Sequence, residues 1–304
     1  MYAAPPEITA TVFTEVPERF RKSSRSAWGD ANKAGAILPS FLEGPSFDRT
    51  GQLYVVDIPW GRVFRISPAG EWTLVIEYDG WPNGLKIRKD GQIFITDYMN
   101  GLMQLDPASG TIRTVVGHHR SEGLKGVNDL VFASNGDIYF TDQGQTGLQD
   151  PTGRVFRYAA DGRLTCLIDT VPSPNGLVLN ADESALLVGA SRDNSIWSLP
   201  LHRDGGTSKV SKFIQMSGGG GPDGLALDAD GGLAVCHAGL GSVWIFSRLG
   251  EPTLRVRSCR GHSTTNLAYG GPDFRDLFVT ESASGSILTA RVPVPGRPMH
   301  SHME

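Results

Sequence analysis

Cysteine is scarce in this sequence of 304 residues, with copies only at Cys166, Cys236 and Cys259. They are odd in number, far apart and without a Cys-x-x-Cys pairing, so they read as reduced structural thiols in a cytoplasmic protein rather than as a disulfide framework. A surplus of charge is also missing. Lys and Arg number 28 against 32 Asp and Glu, a formal charge of -4 with no long run of either sign. Nothing there asks for nucleic acid or a membrane surface as partner. No apolar run approaches the ~20 residues of a membrane-spanning helix. The opening "MYAAPPEITA" lacks a basic region followed by an apolar one, so no signal peptide is expected.

Long helical periodicity is absent as well. In its place stand 38 glycines and short alternating apolar runs punctuated by Gly and Asp, the pattern of an all-β chain with many short strands. The runs repeat. "LEGPSFD", "WPNGLKI", "GVNDLVF", "SPNGLVL", "GPDGLAL" and "TTNLAYG" align on Glu43, Asn83, Asn128, Asn175, Asp223 and Asn266, at intervals of 40, 45, 47, 48 and 43. Each anchor precedes a short apolar strand, a turn, a second strand and a third; several copies add a fourth. Four short strands every ~40–45 residues predict propeller blades, and six copies predict a single six-bladed β-propeller domain over 1–304. The blades span 41–290, with a closing-strand and cap segment over 1–40 and a C-terminal tail over 291–304. Residues 8–13, "ITATVF", are expected to close the last blade beside "GSILTARV".

In a propeller the first strand of each blade lines the central channel, so equivalent positions converge on the axis. All six anchors carry a side-chain oxygen. Turn chemistry explains any single Asn or Asp. It does not require an oxygen in every blade, nor a Glu before Gly-Pro. Carboxylates and carboxamides converging on one point suit a hard divalent cation. A second ring follows 14 or 15 residues after the anchors: Asp57, Asp97, Asp142, Ala190, His237 and Glu281. The repeated Asp reads as structural, bonding turn amides. His237 breaks the pattern, as a base or hydrogen-bond donor at the rim or as a packed core histidine.

The ordered motifs "EGP", "VNDL", "PNGL", "PDGL" and "GGPDFRDLFVTES" resemble the SMP-30/gluconolactonase family from about Phe41 to Ala290. The resemblance implies one axial divalent cation, usually calcium, with zinc, manganese or magnesium as alternatives. The matching ligands are Glu43, Asn128, Asn175 and Asp223, with Asn83 and Asn266 near the axis. It also implies a sugar-lactone hydrolase, with a related phosphatase that cleaves phosphorus–fluorine bonds. Three positions depart. Gly126 stands where the vertebrate lactonases place a substrate-contacting Arg, and Ser282 and Ala268 stand where the phosphatase has histidines. The expected chemistry is lactone opening, with Asp223 as base and His237 orienting water or protonating the leaving group. Substrate contacts are expected from Asn83, Asn128 and Asn266, from Trp60 and Trp81 by stacking, and from His262 at the mouth. A phosphotriester hydrolase and a non-catalytic binding protein with a structural metal are the competing readings, on a monomer or homodimer.

Overall fold

The structure, a computed structural model, describes residues 3–303. Six sheets of four antiparallel strands follow one another along the chain. Their innermost strands are Leu42–Phe47, Pro82–Ile87, Val127–Phe132, Pro174–Leu179, Gly221–Leu227 and Thr264–Gly270, heading blades I to VI. The second strands of the first three blades, Leu53–Asp57, Ile93–Asp97 and Ile138–Asp142, are buried along their whole length, because neighbouring blades cover both faces. One apolar cluster fills each junction between blades. Between blades I and II, for example, Val56 and Val63 meet Leu85, Ile95 and Met103. The core is thus six thin layers arranged radially.

The N-terminal segment closes the ring, divided differently from the single strand expected over 8–13. Thr11–Glu15 pairs antiparallel with Ser286–Arg291 and completes blade VI, while Glu7–Thr9 pairs parallel with Pro252–Arg257 as a fifth strand of blade V. Between them Ala10 is buried, and the chain crosses from one sheet to the other there. A helix over Ala27–Asn32, capped by Ser26, begins a cover over one end of the channel. Trp28 packs with Phe41, Ile58, Leu38 and Trp81 to fix it.

Hydroxyls lace the blades together close to the axis. Thr96 donates to the Asn128 carbonyl at 2.6 Å, Thr141 to that of Asn175 at 2.8 Å and Ser191 to that of Pro222 at 2.6 Å. Ser282 donates to the Leu42 carbonyl at 2.6 Å and so ties blade VI to blade I.

The far end of the channel is crossed by the C-terminal segment. Gly296 donates to Phe274 in blade VI, and Arg297 bonds Leu227 in blade V and Ala181 in blade IV. His300 stacks on Phe132 in blade III and accepts from the Lys89 amide in blade II. Ser301 donates to Phe47 in blade I at 2.7 Å. One short strap therefore touches all six blades. Among the described residues no helix is long and apolar enough to cross a membrane.

Candidate active site

Every innermost strand carries a register irregularity at its anchor. The shifts fall between Glu43 and Ser46, Pro82 and Gly84, Val127 and Leu130, Pro174 and Leu177, Pro222 and Leu225, and Thr264 and Asn266. A bulge twists a strand locally and re-aims a side chain. Six of them in register turn the anchors toward the axis. Small residues follow most anchors because adjacent backbones nearly touch there: a Cβ on Gly176 would strike the Asp223 carbonyl. Blade III instead has Asp129 at that position, buried beneath the anchors.

Glu43, Asn83, Asn128, Asn175 and Asp223 line one cavity of about 770 Å³ at the capped end. Trp28, Lys33, Phe41, Gln143 and Arg192 line it too. The Asn128 amide donates to the Gln143 side-chain oxygen at 3.1 Å, leaving the Asn128 oxygen free. The Asn175 side chain lies near the Asp223 carboxylate and favours its charged form. Asn266 lies behind this surface. Its amide donates to Asp129 at 3.3 Å, its side chain favours the charged form of Glu43, and its oxygen accepts from Leu267 at 2.8 Å. It spaces two carboxylates and is not among the side chains lining the cavity.

Electrostatically the floor is under tension. Burial pushes the Asp223 carboxyl well above its ordinary value, and the charges of Glu43 and Asp129 push it further, against Lys33 and Asn175. Burial, with the Asp129 charge adding to it, raises Glu43 to about 7, against bonds from Gly44, Asn266 and Thr265. Asp129 is raised by burial, opposed chiefly by the Lys86 charge. Among the described residues no Lys or Arg forms an ion pair with these three, whereas buried Asp57 and Asp142 are matched by Arg62 and Arg154. Two buried carboxylates and a half-buried one, none of them in an ion pair, are costly unless a cation joins them. No three His, Cys, Asp or Glu side chains among the described residues form a metal cage alone. A cation here would draw on the asparagine oxygens as well, a donor set of carboxylates and amides that fits calcium.

The second ring faces elsewhere. Asp57, Asp97, Asp142 and His237 pair with Leu42, Pro82, Val127 and Pro222, each one residue before its anchor. Paired residues share a face and successive residues alternate, so these side chains point away from the channel. Asp57 accepts from the Phe41 amide at 2.7 Å and Asp142 from that of Gly126 at 2.8 Å, pinning the loops that lead into the anchors. His237 is buried, with Nε2 2.8 Å from the Gly218 carbonyl. It lines a separate pocket between blades with Met216 and Trp244, screened from the axial cavity by the glycines at 218–221. Burial and the Arg255 charge hold the imidazole below its ordinary value, against the Gly218 bond.

Trp60 and Trp81 hold the cover in place. Trp60 Nε1 donates to the Leu38 carbonyl at 3.2 Å, and Trp81 packs near Tyr98 and in the Trp28 cluster. His262 is exposed, and its carbonyl accepts from Gly239 and Gly241. Gly126 is filled from outside, since a Cβ there would collide with the Tyr98 ring. Ser282 is spent on the blade VI to blade I tie. Sequence reasoning passed over Asp129, hidden beside an anchor in "VNDL", and over Lys33, which lies in the cover outside any repeat.

The model of the SMP-30/gluconolactonase/LRE-like region matches residues 41–283. Lactonase drp35 of Staphylococcus aureus (strain MW2) is 30% identical over 239 residues, 74% of this chain and 71% of that protein. The Staphylococcus epidermidis lactonase drp35 is 30% identical over 224 residues, 69% and 67% of the two chains. Among solved structures, a gluconolactonase from Xanthomonas campestris superposes with a TM-score of 0.73 at 21% identity, covering 96% of this chain and 99% of its own. A calcium-binding regucalcin from Agrobacterium tumefaciens gives 0.75 at 23%, covering 95% and 98%. The matched region takes in all six anchors, and on that ground the chain belongs to the SMP-30/gluconolactonase/LRE-like family.

Proposed function

We propose that this protein is a hydrolase that opens the ring of a small lactone on the floor of the axial cavity, with one divalent cation, calcium by preference, held by Glu43, Asn128, Asn175 and Asp223. The observation that carries this reading is the group of carboxylates held in no ion pair at the base of a polar cavity large enough for a small-molecule ligand. The lactonases among its relatives support the choice of bond.

A cation at that position supplies Lewis acidity toward a lactone carbonyl oxygen. Asp223 retains partial exposure to the cavity, and its raised proton affinity suits it to take a proton from an attacking water. The like charge of Glu43 keeps the proton affinity of Asp223 high, and the Asn175 side chain opposes it. Asn83 and Asn128 present amides to the substrate's ring and hydroxyl oxygens. Trp28 and Phe41 exclude water from one wall. His237, behind the glycine loop, has no part in the chemistry proposed.

Neutral and charged lactones and a paraoxon-like phosphotriester, assayed side by side with calcium, zinc, manganese, magnesium or a chelator, test this. Cation-dependent lactone opening is the expected result. Turnover of the phosphotriester alone would replace the substrate class. A cation that raises the melting temperature without turnover of any ester would make the site a structural staple.

A further inference from the structure

Two cations stand at the mouth of the cavity without an acidic partner. Lys33 ends the cover helix, its ammonium 4.7 Å from the centre of the Phe41 ring and 5.7 Å from that of Trp28. Arg192 follows Ser191, whose hydroxyl fastens the turn to the Pro222 carbonyl, one residue before Asp223. Both line the axial cavity. Among the described residues neither forms an ion pair, whereas the buried or half-buried Arg62, Arg154 and Arg157 are matched by carboxylates. They are close enough to act on each other and on the floor: burial lowers the Lys33 ammonium most, Arg192 lowers it further, and Asp223 and Glu43 pull it back. The cavity is therefore polarised, negative at the floor and positive at the rim.

From this we infer that the substrate is a lactone carrying an oxyanion substituent, a carboxylate or a phosphate, remote from its ring ester. The inference rests on the lactonase reading above. A neutral sugar lactone offers the two rim cations hydroxyl oxygens but no charge to balance theirs. An oxyanion at the rim gains charge-assisted hydrogen bonds from Lys33 and Arg192. It also fixes which end of the molecule enters first, because the floor carboxylates repel the anion and leave the ester carbonyl to face inward. Lys33 is a single ammonium on a flexible stem and Arg192 a planar fork, so together they grip an anion without demanding one geometry.

The test compares glucono-1,5-lactone, its 6-phosphate and glucaro-1,4-lactone on the full chain with calcium. The expected result is a kcat/KM about 10-fold or more higher for at least one anionic lactone at low ionic strength, narrowing as salt screens the rim. The phosphate and the carboxylate arms distinguish the two oxyanions. In the Lys33→Met/Arg192→Met variant the ratio of anionic to neutral kcat/KM should fall toward one. A readout apart from turnover is inorganic phosphate, which should raise the melting temperature of the wild-type chain and not that of the variant. This also serves if the double variant folds poorly, since competition by phosphate against an anionic lactone is measured on wild type alone. Equal use of neutral and anionic lactones, or indifference to phosphate, would overturn the inference while leaving lactone opening intact. Failure to open any lactone would remove the reading beneath it, and the inference with it.

Discussion

The two ends of the channel are built from the same six strands and have opposite characters. At the capped end stand Glu43, Asn128, Asn175 and Asp223, a polar floor whose carboxylates repel one another. About three residues further along, near 10 Å at the rise of a strand, the same strands present Val131, Leu177, Leu179, Leu225, Leu227 and Leu267 around a small apolar space of about 110 Å³. The C-terminal strap closes that space with Pro298, Met299 and His300. One end concentrates charge at the expense of stability, and the other recovers stability by burying apolar surface. The bulges mark the boundary between them.

Exchanging chemistry for neutrality at the polar end gives the largest expected effect. Asp223→Asn should lose about 10²–10⁴-fold in lactone turnover at saturating cation, the range for removing a general base. Its melting temperature after chelation should not fall, because a repelling charge has gone. Full rate restored by added calcium would make Asp223 a ligand only.

Removing the strap tests the apolar end. Deleting residues from Pro293 onward should cost on the order of 5 kcal/mol in buried area and hydrogen bonds, or about 10 °C in melting temperature. Lactone opening at low temperature should persist. An unchanged melting curve would mean the six blades stand without the strap that touches them all.

Acidity distinguishes the two ends more finely. Glu43 binds its proton more tightly in the folded chain, at about 7 against the ordinary 4.5. The folded state then holds more protons than the unfolded state between those values, so this group's contribution to stability falls as pH rises through the window. In chelated protein, Glu43→Gln should melt higher than wild type at pH 7.5, with the gap closing by pH 5. Calcium should reverse the order at pH 7.5. A gap independent of pH would show that Glu43 is not under the strain described.

The smallest effect belongs to the lacing. Ser282→Ala removes the donor to Leu42 and should cost about 1 kcal/mol in urea unfolding, or about 2 °C in melting temperature. No change would mean that the Thr265 hydroxyl, 3.4 Å from the same carbonyl, takes over.

The six blades were legible because a repeat imposes the same turn and strand chemistry many times, and the anchors because each copy puts an oxygen in the same register. Direction was harder to read. His237 sits 14 residues after Asp223, as Asp57 does after Glu43, and spacing alone suggests a common rim. The pairing of His237 with Pro222 turns it to the opposite face, and a bulge that sets such a face leaves no mark in composition. Trp60 and Trp81 are near the cavity in sequence register but are occupied by the cover, whose path over residues 17–40 follows no repeat. Asp129 was hidden by its neighbour, since "ND" reads as a turn. Only the close approach of six strands reveals a third carboxylate beneath the anchors.

The divided N-terminal segment has a consequence for how the chain is made. Residues 11–15 are synthesised well ahead of their partner strand, 286–291. At about 5–20 residues per second, the wait is on the order of 15–55 s. Through that time the growing arc of blades has a loose leading thread and an open end. The parallel pairing of Glu7–Thr9 with Pro252–Arg257 becomes available earlier, as soon as blade V is complete. Blade V can therefore catch the thread first and hold it beside the place where blade VI will form, so that the final strand arrives to find its neighbour already waiting.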